Sequence, residues 1–334
     1  MRIAVVYSLP SARMLGTPYG ETDSDTSEIA KMVKRGLLAR GMEVELVALT
    51  ETTIPKIKQI KADCVFNLIE WCGGDIALAQ RAFSYLRELN IPVTGSSEEL
   101  FVLTGDKIRM KQRLTELGIP TPRALPLITG EEEIPNDLPY PLLVKPSLEH
   151  CSTGLSAETL AHNAMELKEI ARKQLAEFAQ PVLAEEFIQG RELLVYLVEE
   201  DNTVRVLPIE EVHFRETDGT GFQTYETKWV EESEAYQNTW VEVAKLSKEE
   251  QVRIEEVSRK AFLGMGLWGY ARFDLRLRDS LPYILETNAN PSVYDATEEI
   301  KSVEEEVIMG IKFADYLELI VKAAFRHYER GERV

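Results

Sequence analysis

Two short segments near the end of the chain hold the residue types best suited to chemistry. Arg272-Phe273-Asp274-Leu275-Arg276 and Ile284-Leu285-Glu286-Thr287-Asn288 both alternate in polarity. As strands, they put Arg272, Asp274 and Arg276 on one face of the first, and Ile284, Glu286 and Asn288 on one face of the second. The intervening Arg278-Asp279-Ser280-Leu281-Pro282 has the composition of a tight hairpin loop. A three-residue loop sets Asp274 opposite Glu286 on a shared face; a two-residue loop does not. The three-residue loop is the expectation, because two carboxylates and an amide oxygen converging on one point form a cage of hard oxygens suited to Mg²⁺. A cation there also relieves the repulsion between the carboxylates. The plainer reading is two solvated strand faces with ordinary ion pairs, and the pattern alone does not separate the two.

Weaker candidates lie upstream. Lys145 ends the apolar run Leu142-Leu143-Val144 and precedes Pro146 and a polar stretch from Ser147 to Gly154. Lysine rarely ends a buried run without an anionic partner. Ser147, Ser152, Thr153 and Gly154 can offer backbone N–H groups to phosphate oxygens. The Gly-Lys-Ser/Thr ending of a Walker loop is missing, and a plain strand-end lysine is the commoner reading. Asp106-Lys107-Ile108-Arg109-Met110-Lys111 opens a helix, with Asp106 as N-cap and an exposed cationic turn as the bland interpretation. In Glu185-Glu186-Phe187-Ile188-Gln189-Gly190-Arg191-Glu192, adjacent acids beside an aromatic residue can edge a nucleobase slot and reach a ribose, or simply end an edge strand at Gly190. Gly219 to Trp229, Gly- and Thr-rich and holding Lys228, has the composition of a mobile flap. His150 and Cys151 adjoin on a loop, where neighbouring side chains point apart, so a thiol nucleophile is not expected. Four histidines do not make a zinc site, and Cys64 and Cys72 read as core thiols.

The elements that must position these residues follow from periodicity. Strands are expected at 3–7, 44–49 and 64–69, with a short fourth at 91–94. Helices are expected at 25–40, closed by Gly41, and at 76–89. That alternation implies a parallel sheet with crossover helices. One helix is expected over 100–117, then a stiff extended connection, Gly118-Ile119-Pro120-Thr121-Pro122. A buried strand at 142–145, a long helix at 158–178 and a strand at 182–188 make up the middle. The remainder reads as antiparallel sheet (193–199, 204–209, 267–277, 283–288) with helices at 248–263 and 307–328. The acidic cluster from Glu298 to Glu306 reads as a solvated helix face.

Composition narrows the function. At 334 residues the chain suits two or three modules. With 44% hydrophobic and 28% charged residues it is not disordered as a whole. A formal charge of -18 repels phosphate backbones, so nucleic acid is excluded as a main partner, and phosphate chemistry would need a local basic pocket or metal. Three cysteines argue against a disulfide framework and for a reducing compartment. No apolar run approaches bilayer length, and the first residues read as a buried strand rather than a signal sequence. A cytoplasmic protein without membrane partners is the expectation.

Taken in order, these segments resemble the ATP-grasp fold, and within it the D-alanine–D-alanine ligase family. The resemblance runs nearly end to end. It rests on Gly95-Ser96-Ser97, Asp106-Lys107 with Lys111, Gly118-Ile119-Pro120-Thr121-Pro122 and Val144-Lys145-Pro146-Ser147. It continues through Glu185-Glu186-Phe187-Ile188 with Gly190 and Glu192, Arg272-Phe273-Asp274, and Glu286-Thr287-Asn288-Ala289-Asn290-Pro291. It implies an α/β chain, α+β in its C-terminal part. A Rossmann-like parallel-sheet domain would span 1–100, a central ATP-grasp subdomain 101–186, and a C-terminal subdomain with the metal site 187–334. The implied chemistry is ADP-forming ligation of a small-molecule carboxylate to an amine through an acyl phosphate. Lys107 and Lys145 would then hold the ATP phosphates. Glu185 and Ile188 would bracket the adenine, with Glu186, Phe187 and Leu285 in the same pocket, and Glu192 would bind ribose hydroxyls. Lys228 resembles the flap lysine, which binds nucleotide and takes part in catalysis together with Ser152. Asp274, Glu286 and Asn288 resemble the ligands of two Mg²⁺ ions, with Mn²⁺ as a substitute. Arg272 resembles the arginine that stabilises the acyl-transfer intermediate.

The chain departs from the family pattern in the substrate half. Gly-Ser-Ser is replaced by His150-Cys151-Ser152, the tyrosine after the flap lysine by Trp229, and the glycine after Asn290-Pro291 by Ser292. Glu70-Trp71 stands where the family carries histidine and glycine. The glutamate for the first D-alanine's amine has no secure match; Glu21, Asp25 and Glu28 are candidates. Substrate contacts are expected at Glu28, Glu70, Cys151, Trp229, Asn290 and Ser292, for a substrate pair other than two D-alanines. The alternatives are a genuine D-alanine–D-alanine ligase and a non-catalytic ATP-binding module. A homodimer is left open.

Overall fold

Strand β1 (Arg2–Ser8) is buried along nearly its whole length, the mark of a parallel strand covered on both faces. In the computed structural model, which describes residues 1–20, 22, 24–201, 203–215, 221–293 and 310–334, β1 lies between β2 (Glu43–Leu49) and β3 (Cys64–Leu68), parallel to both. Its two faces serve different helices. Ile3 and Val5 pack with Ile29, Val33 and Leu37 of the helix Thr26–Ala39. Ala4 and Val6 pack with Ala79, Ala82, Phe83 and Leu86 of the helix Ile76–Leu89. The expected fourth strand is only a single parallel bridge, Val65 to Val93, because Pro92 has no N–H to give a ladder.

The single helix expected over 100–117 is two, Glu98–Gly105 and Lys107–Glu116. Asp106 between them is extended, and its carboxylate accepts the N–H groups of Ile108 and Arg109. This cap starts a new helix whose Lys107 and Lys111 turn inward. Both are buried, so the exposed cationic turn is not what forms.

Strands β4 (Ala124–Leu127), β5 (Leu142–Pro146), β6 (Leu160–Ala161) and β7 (Val182–Glu186) make an antiparallel sheet in the order β4-β7-β5-β6. The long helix is shorter than its apolar pattern, Ala164–Phe178, because the Asn163 side chain caps Met165 and Glu166 and starts it there.

A third sheet holds β8 (Arg191–Glu200), β9 (Thr203–Val206), β10 (Glu210–Phe214), β11 (Thr239–Val243), β12 (Tyr270–Arg278) and β13 (Leu281–Asn288), in the order β11-β10-β8-β12-β13 with β9 on β8. Strands β4, β10 and β11 escape the periodicity. Pro126 interrupts β4, which is an edge strand where proline is tolerated. Glu211, His213 and Glu242 break the apolar pattern of β10 and β11, but they are answered by Arg191 and by each other.

The β12–β13 hairpin corrects one expectation and keeps its consequence. Arg278 pairs with Leu281, so the loop is the two residues Asp279-Ser280, both at positive φ (51° and 59°) as a type I′ turn requires. Asp274 nevertheless faces Glu286. The missing residue is supplied by a bulge: Leu275 pairs with Ile284 and Asp274 with Glu286, leaving Leu285 unpaired on β13.

The last helix, Phe313–Glu329, packs Phe313, Leu317, Ile320 and Val321 into the core that contains Ile3 and Val5. The end of the chain thus returns to the first sheet. Glu21, residues 219–220 of the flap-like stretch, the acidic cluster 298–306 and the first residues expected in the last helix lie outside the described residues. Among the described residues no helix is long and apolar enough to cross a membrane.

Candidate active site

Segments from the second and third sheets, the loop after β3 and the helix Thr26–Ala39 line one cleft of about 470 Å³. Apart from Glu21, the sequence candidates all line it. They are Lys107, Lys145, Glu185, Glu186, Phe187, Ile188, Glu192, Lys228 and Leu285; Arg272 and Ser152; Asp274, Glu286 and Asn288; and Asp25, Glu28, Glu70, Cys151, Trp229, Asn290 and Ser292.

Strand β5 delivers Lys145 and β7 delivers Glu185 to one buried pair. Lys145 Nζ lies 2.5 Å from Glu185 Oε1, and Lys111 Nζ lies 2.7 Å from Oε2. Burial raises the Glu185 carboxyl, but the two ammonium groups outweigh it and hold it below the ordinary range. Burial lowers Lys111; Glu185 pulls it back up and Lys145 pushes it down again, leaving it at about 8. Lys111 also donates to Thr121, whose hydroxyl donates to the Ile284 carbonyl on β13. Glu185 is therefore the counter-ion of two lysines.

Lys107, at the start of its helix, reaches Glu286 at 3.2 Å and donates to the Glu149 carbonyl. Burial opposes ionisation of Glu286, and Lys107, Lys145 and Lys228 together override it, holding the carboxyl at about 2. Arg272 grips Asp274 with two bonds, Nε to Oδ1 at 2.6 Å and Nη2 to Oδ2 at 3.0 Å. Each of the two facing carboxylates thus has its own cation. Asn288 lies across from Arg272, and its buried Nδ2 has no hydrogen-bond partner, so no protein group fixes which way the amide points. Among the described residues no group of three or more His, Cys, Asp and Glu side chains could hold a metal. The donor set here is two carboxylates and an amide oxygen. Those hard donors fit a divalent cation of the Mg²⁺ type, which would compete with Lys107 and Arg272 for them.

The described part of the flap-like stretch docks on the loop after β5. Ser152 donates to the Gln223 carbonyl at 3.0 Å, the Tyr225 N–H to Leu155 O at 3.1 Å, and the Trp229 indole to Cys151 O at 3.1 Å. Thr224 caps the short helix Tyr225–Trp229 that presents Lys228. Cys151 (φ 51°) and Ser152 (φ 60°) are both left-handed, a backbone that non-glycine residues adopt at a cost. The Ser292 hydroxyl donates to Glu70 at 2.6 Å. Gly95 (φ 86°) must be glycine, since a Cβ would lie 1.7 Å from Asn290 Oδ1. Glu28 pairs with Lys31 at the exposed start of its helix.

Two further residues of the cleft were not foreseen. Arg276, 2% exposed, donates to Glu192, Ile188 and Gly221. Its polar position in Arg-x-Asp-x-Arg was the available signal. Glu149 is buried, bonded to Gln180 and set against Gly73, where any Cβ would fall 2.4 Å from its Oε1. Those partners are too distant in sequence to leave a local pattern.

Residues 122–322 match the family model described as D-ala D-ala ligase C-terminus. The D-alanine–D-alanine ligase of Coprothermobacter proteolyticus is 30% identical over 86% of this chain and 91% of its own. An uncharacterized protein, y4sG, of Sinorhizobium fredii is 28% identical over 98% of each chain. Among solved structures, the D-alanine–D-alanine ligase of Bacillus anthracis complexed with ATP matches with a TM-score of 0.74 at 21% identity, covering 99% of both chains. The VanG D-Ala:D-Ser ligase of Enterococcus faecalis matches at 0.71 and 18% identity, over 97% of this chain and 99% of that one.

Proposed function

Because this chain belongs to the D-alanine–D-alanine ligase family of ADP-forming ATP-grasp ligases, we propose that it joins an amino acid or similar carboxylate to an amine, on substrates other than two D-alanines. The family uses ATP and a divalent metal. In our reading the nucleotide lies between the second and third sheets and the substrates against the first, dividing the chain at 1–100, 101–186 and 187–334.

The substrate carboxylate attacks the γ-phosphorus, the bond to the β-phosphate oxygen breaks, and ADP leaves. The amine then attacks the acyl carbon, loses a proton and expels phosphate. Lys107 and Lys145 offset the triphosphate charge in an otherwise acidic protein. Arg272 would stabilise the charge that develops on the carbonyl oxygen. Asp274, Glu286 and Asn288 would hold Mg²⁺, which when bound neutralises phosphate oxygens. Lys228 and the segment docked by Ser152 keep water from the acyl phosphate.

One observation carries the substrate proposal. Among the residues that depart from the family pattern, the Ser292 and Glu70 side chains bond each other, and the Trp229 indole donates to the Cys151 main-chain carbonyl. Paired replacements rebuild a pocket, whereas scattered ones erode it. The test is ATP-dependent phosphate release by the purified protein across a panel of amino acids and dipeptides. We expect release with a carboxylate other than D-alanine. Stimulation by D-alanine alone would make it a genuine D-alanine–D-alanine ligase, and saturable ATP binding without turnover on any substrate would make it a non-catalytic module.

A further inference from the structure

Arg276 occupies an unusual place for a guanidinium. It lies on the central pair of the third sheet, opposite Glu192, and is 2% exposed. A buried cation persists only when its donors are matched. Here they are matched by three separate pieces of chain. Nη2 donates to Glu192 Oε2 at 2.8 Å and to the Gly221 carbonyl, and Nη1 donates to the Ile188 carbonyl at 3.1 Å. The guanidinium carbon sits 4.6 Å from the centre of the Phe187 ring, and Phe222 meets that ring edge-on at 5.7 Å.

We propose that Arg276 is a positioning residue that ties the ribose pocket to the segment carrying Lys228, so that the sugar and the phosphates of the nucleotide are read together. The inference rests on the ATP reading above. Arg276 engages one oxygen of Glu192 and leaves the other for a hydroxyl. The same guanidinium holds the Gly221 carbonyl, at the start of the described stretch that reaches Lys228 and that is docked further along through Gln223, Tyr225 and Trp229. A planar fork can serve three acceptors at once; an ammonium group cannot hold the same geometry.

The test uses the full chain with Mg²⁺ and calorimetric titration of adenosine, ADP and a non-hydrolysable ATP analogue. The proteins are wild type, Arg276→Met, Arg276→Lys, Lys228→Ala and the Arg276→Met/Lys228→Ala double variant. Losing a charge-assisted bond to Glu192 should weaken adenosine binding about tenfold in Arg276→Met. The same variant should lose most of the preference for the ATP analogue over ADP that Lys228→Ala loses. Adding Lys228→Ala to it should then remove little more. Arg276→Lys keeps a charge beside Glu192, so adenosine should bind within about threefold of wild type while the preference for the analogue still falls. A folded Arg276→Met that binds adenosine as wild type does overturns the proposal. So does a Lys228→Ala effect of full size in the Arg276→Met background. If Arg276→Met does not fold, Arg276→Lys decides: unchanged preference for the analogue overturns it. A wild type that fails to bind the analogue removes the ATP reading itself, which is a different result from a wild type that binds and a variant that binds equally well.

Discussion

The two ends of the cleft hold their polar side chains by different means. Around Lys145 and Arg276 the charged groups are more than nine-tenths buried and joined in ion pairs: Lys145 and Lys111 with Glu185, Arg276 with Glu192. Around Glu70 and Cys151 the residues are half-buried, and single hydrogen bonds join them, Ser292 to Glu70 and Trp229 to Cys151. Breaking a buried ion pair strands a charge and costs several kcal/mol, whereas losing one part-exposed hydrogen bond costs about 1 kcal/mol. Change at the first end is therefore the more costly. The second can be altered one contact at a time, which fits the proposal that substrate choice resides there.

The largest effect should come from Glu286, which faces Asp274 across the hairpin. Glu286→Ala should cut turnover by about a thousandfold or more, since it removes the counter-ion of Lys107 and, on the proposed reading, a metal ligand. Its side chain is part-exposed to the cleft (23%), so the melting temperature should move by only a few degrees. Phosphate release and a thermal melt read both quantities, and unimpaired turnover removes the metal assignment.

Stability tests the comparison directly. Glu185→Gln leaves Lys111 and Lys145 without their shared anion and should cost about 3–5 kcal/mol in urea unfolding. Ser292→Gly at the other end should cost about 1 kcal/mol or less. Equal costs would mean that the two ends do not differ as described.

Substrate choice comes next in size. Trp229→Tyr should change the ratio of kcat/KM between the two best carboxylates about tenfold, the weight of one hydrogen bond and some packing. The KM for ATP should stay within about twofold. A variant that shifts only the ATP KM would put Trp229 at the wrong end of the cleft.

How far these regions are legible from the chain alone follows from the range of their interactions. Asp274 and Glu286 share a face, and strand alternation reveals that much. The device that aligns them is a two-residue turn at Asp279-Ser280 plus a bulge at Leu285, and periodicity cannot distinguish it from a three-residue loop. Lys107 and Lys111 read as an exposed turn because helix spacing says nothing about which face a separate sheet will cover. Arg276 and Glu149 acquire their meaning from Gly221, Gln180 and Gly73, all distant in sequence. That β1–β3 form a parallel sheet was readable because strand and helix patterns alternate along the first hundred residues. Strands β10 and β11 were not, because Glu211, His213 and Glu242 find their partners only after folding.

The smallest predicted effect concerns pH and should fall on the half-buried end alone. His327, on the last helix, stacks on Trp268 at 4.9 Å, and Trp268 donates to the Gly95 carbonyl. Gly95 in turn lies against Asn290 in the cleft. Burial lowers the affinity of the imidazole for a proton, but Glu199, 2.7 Å from Nε2, and Glu332 at Nδ1 override it and raise the pKa above the usual value. Arg87 and Arg333 line the same crevice and temper that pull. The folded pKa exceeds the unfolded one, so this pairing contributes its full stability below about pH 6.5 and loses it as pH rises through the raised value. Urea unfolding of wild type and His327→Gln should therefore differ most near pH 6 and converge toward about pH 9. Along that pH range the KM for the carboxylate substrate should drift in wild type more than in the variant. The KM for ATP, read by groups locked in their own ion pairs, should not follow His327. Parallel stability curves for the two proteins would show that the histidine is not charged in the folded state, and an ATP KM that tracks His327 would erase the distinction between the two ends.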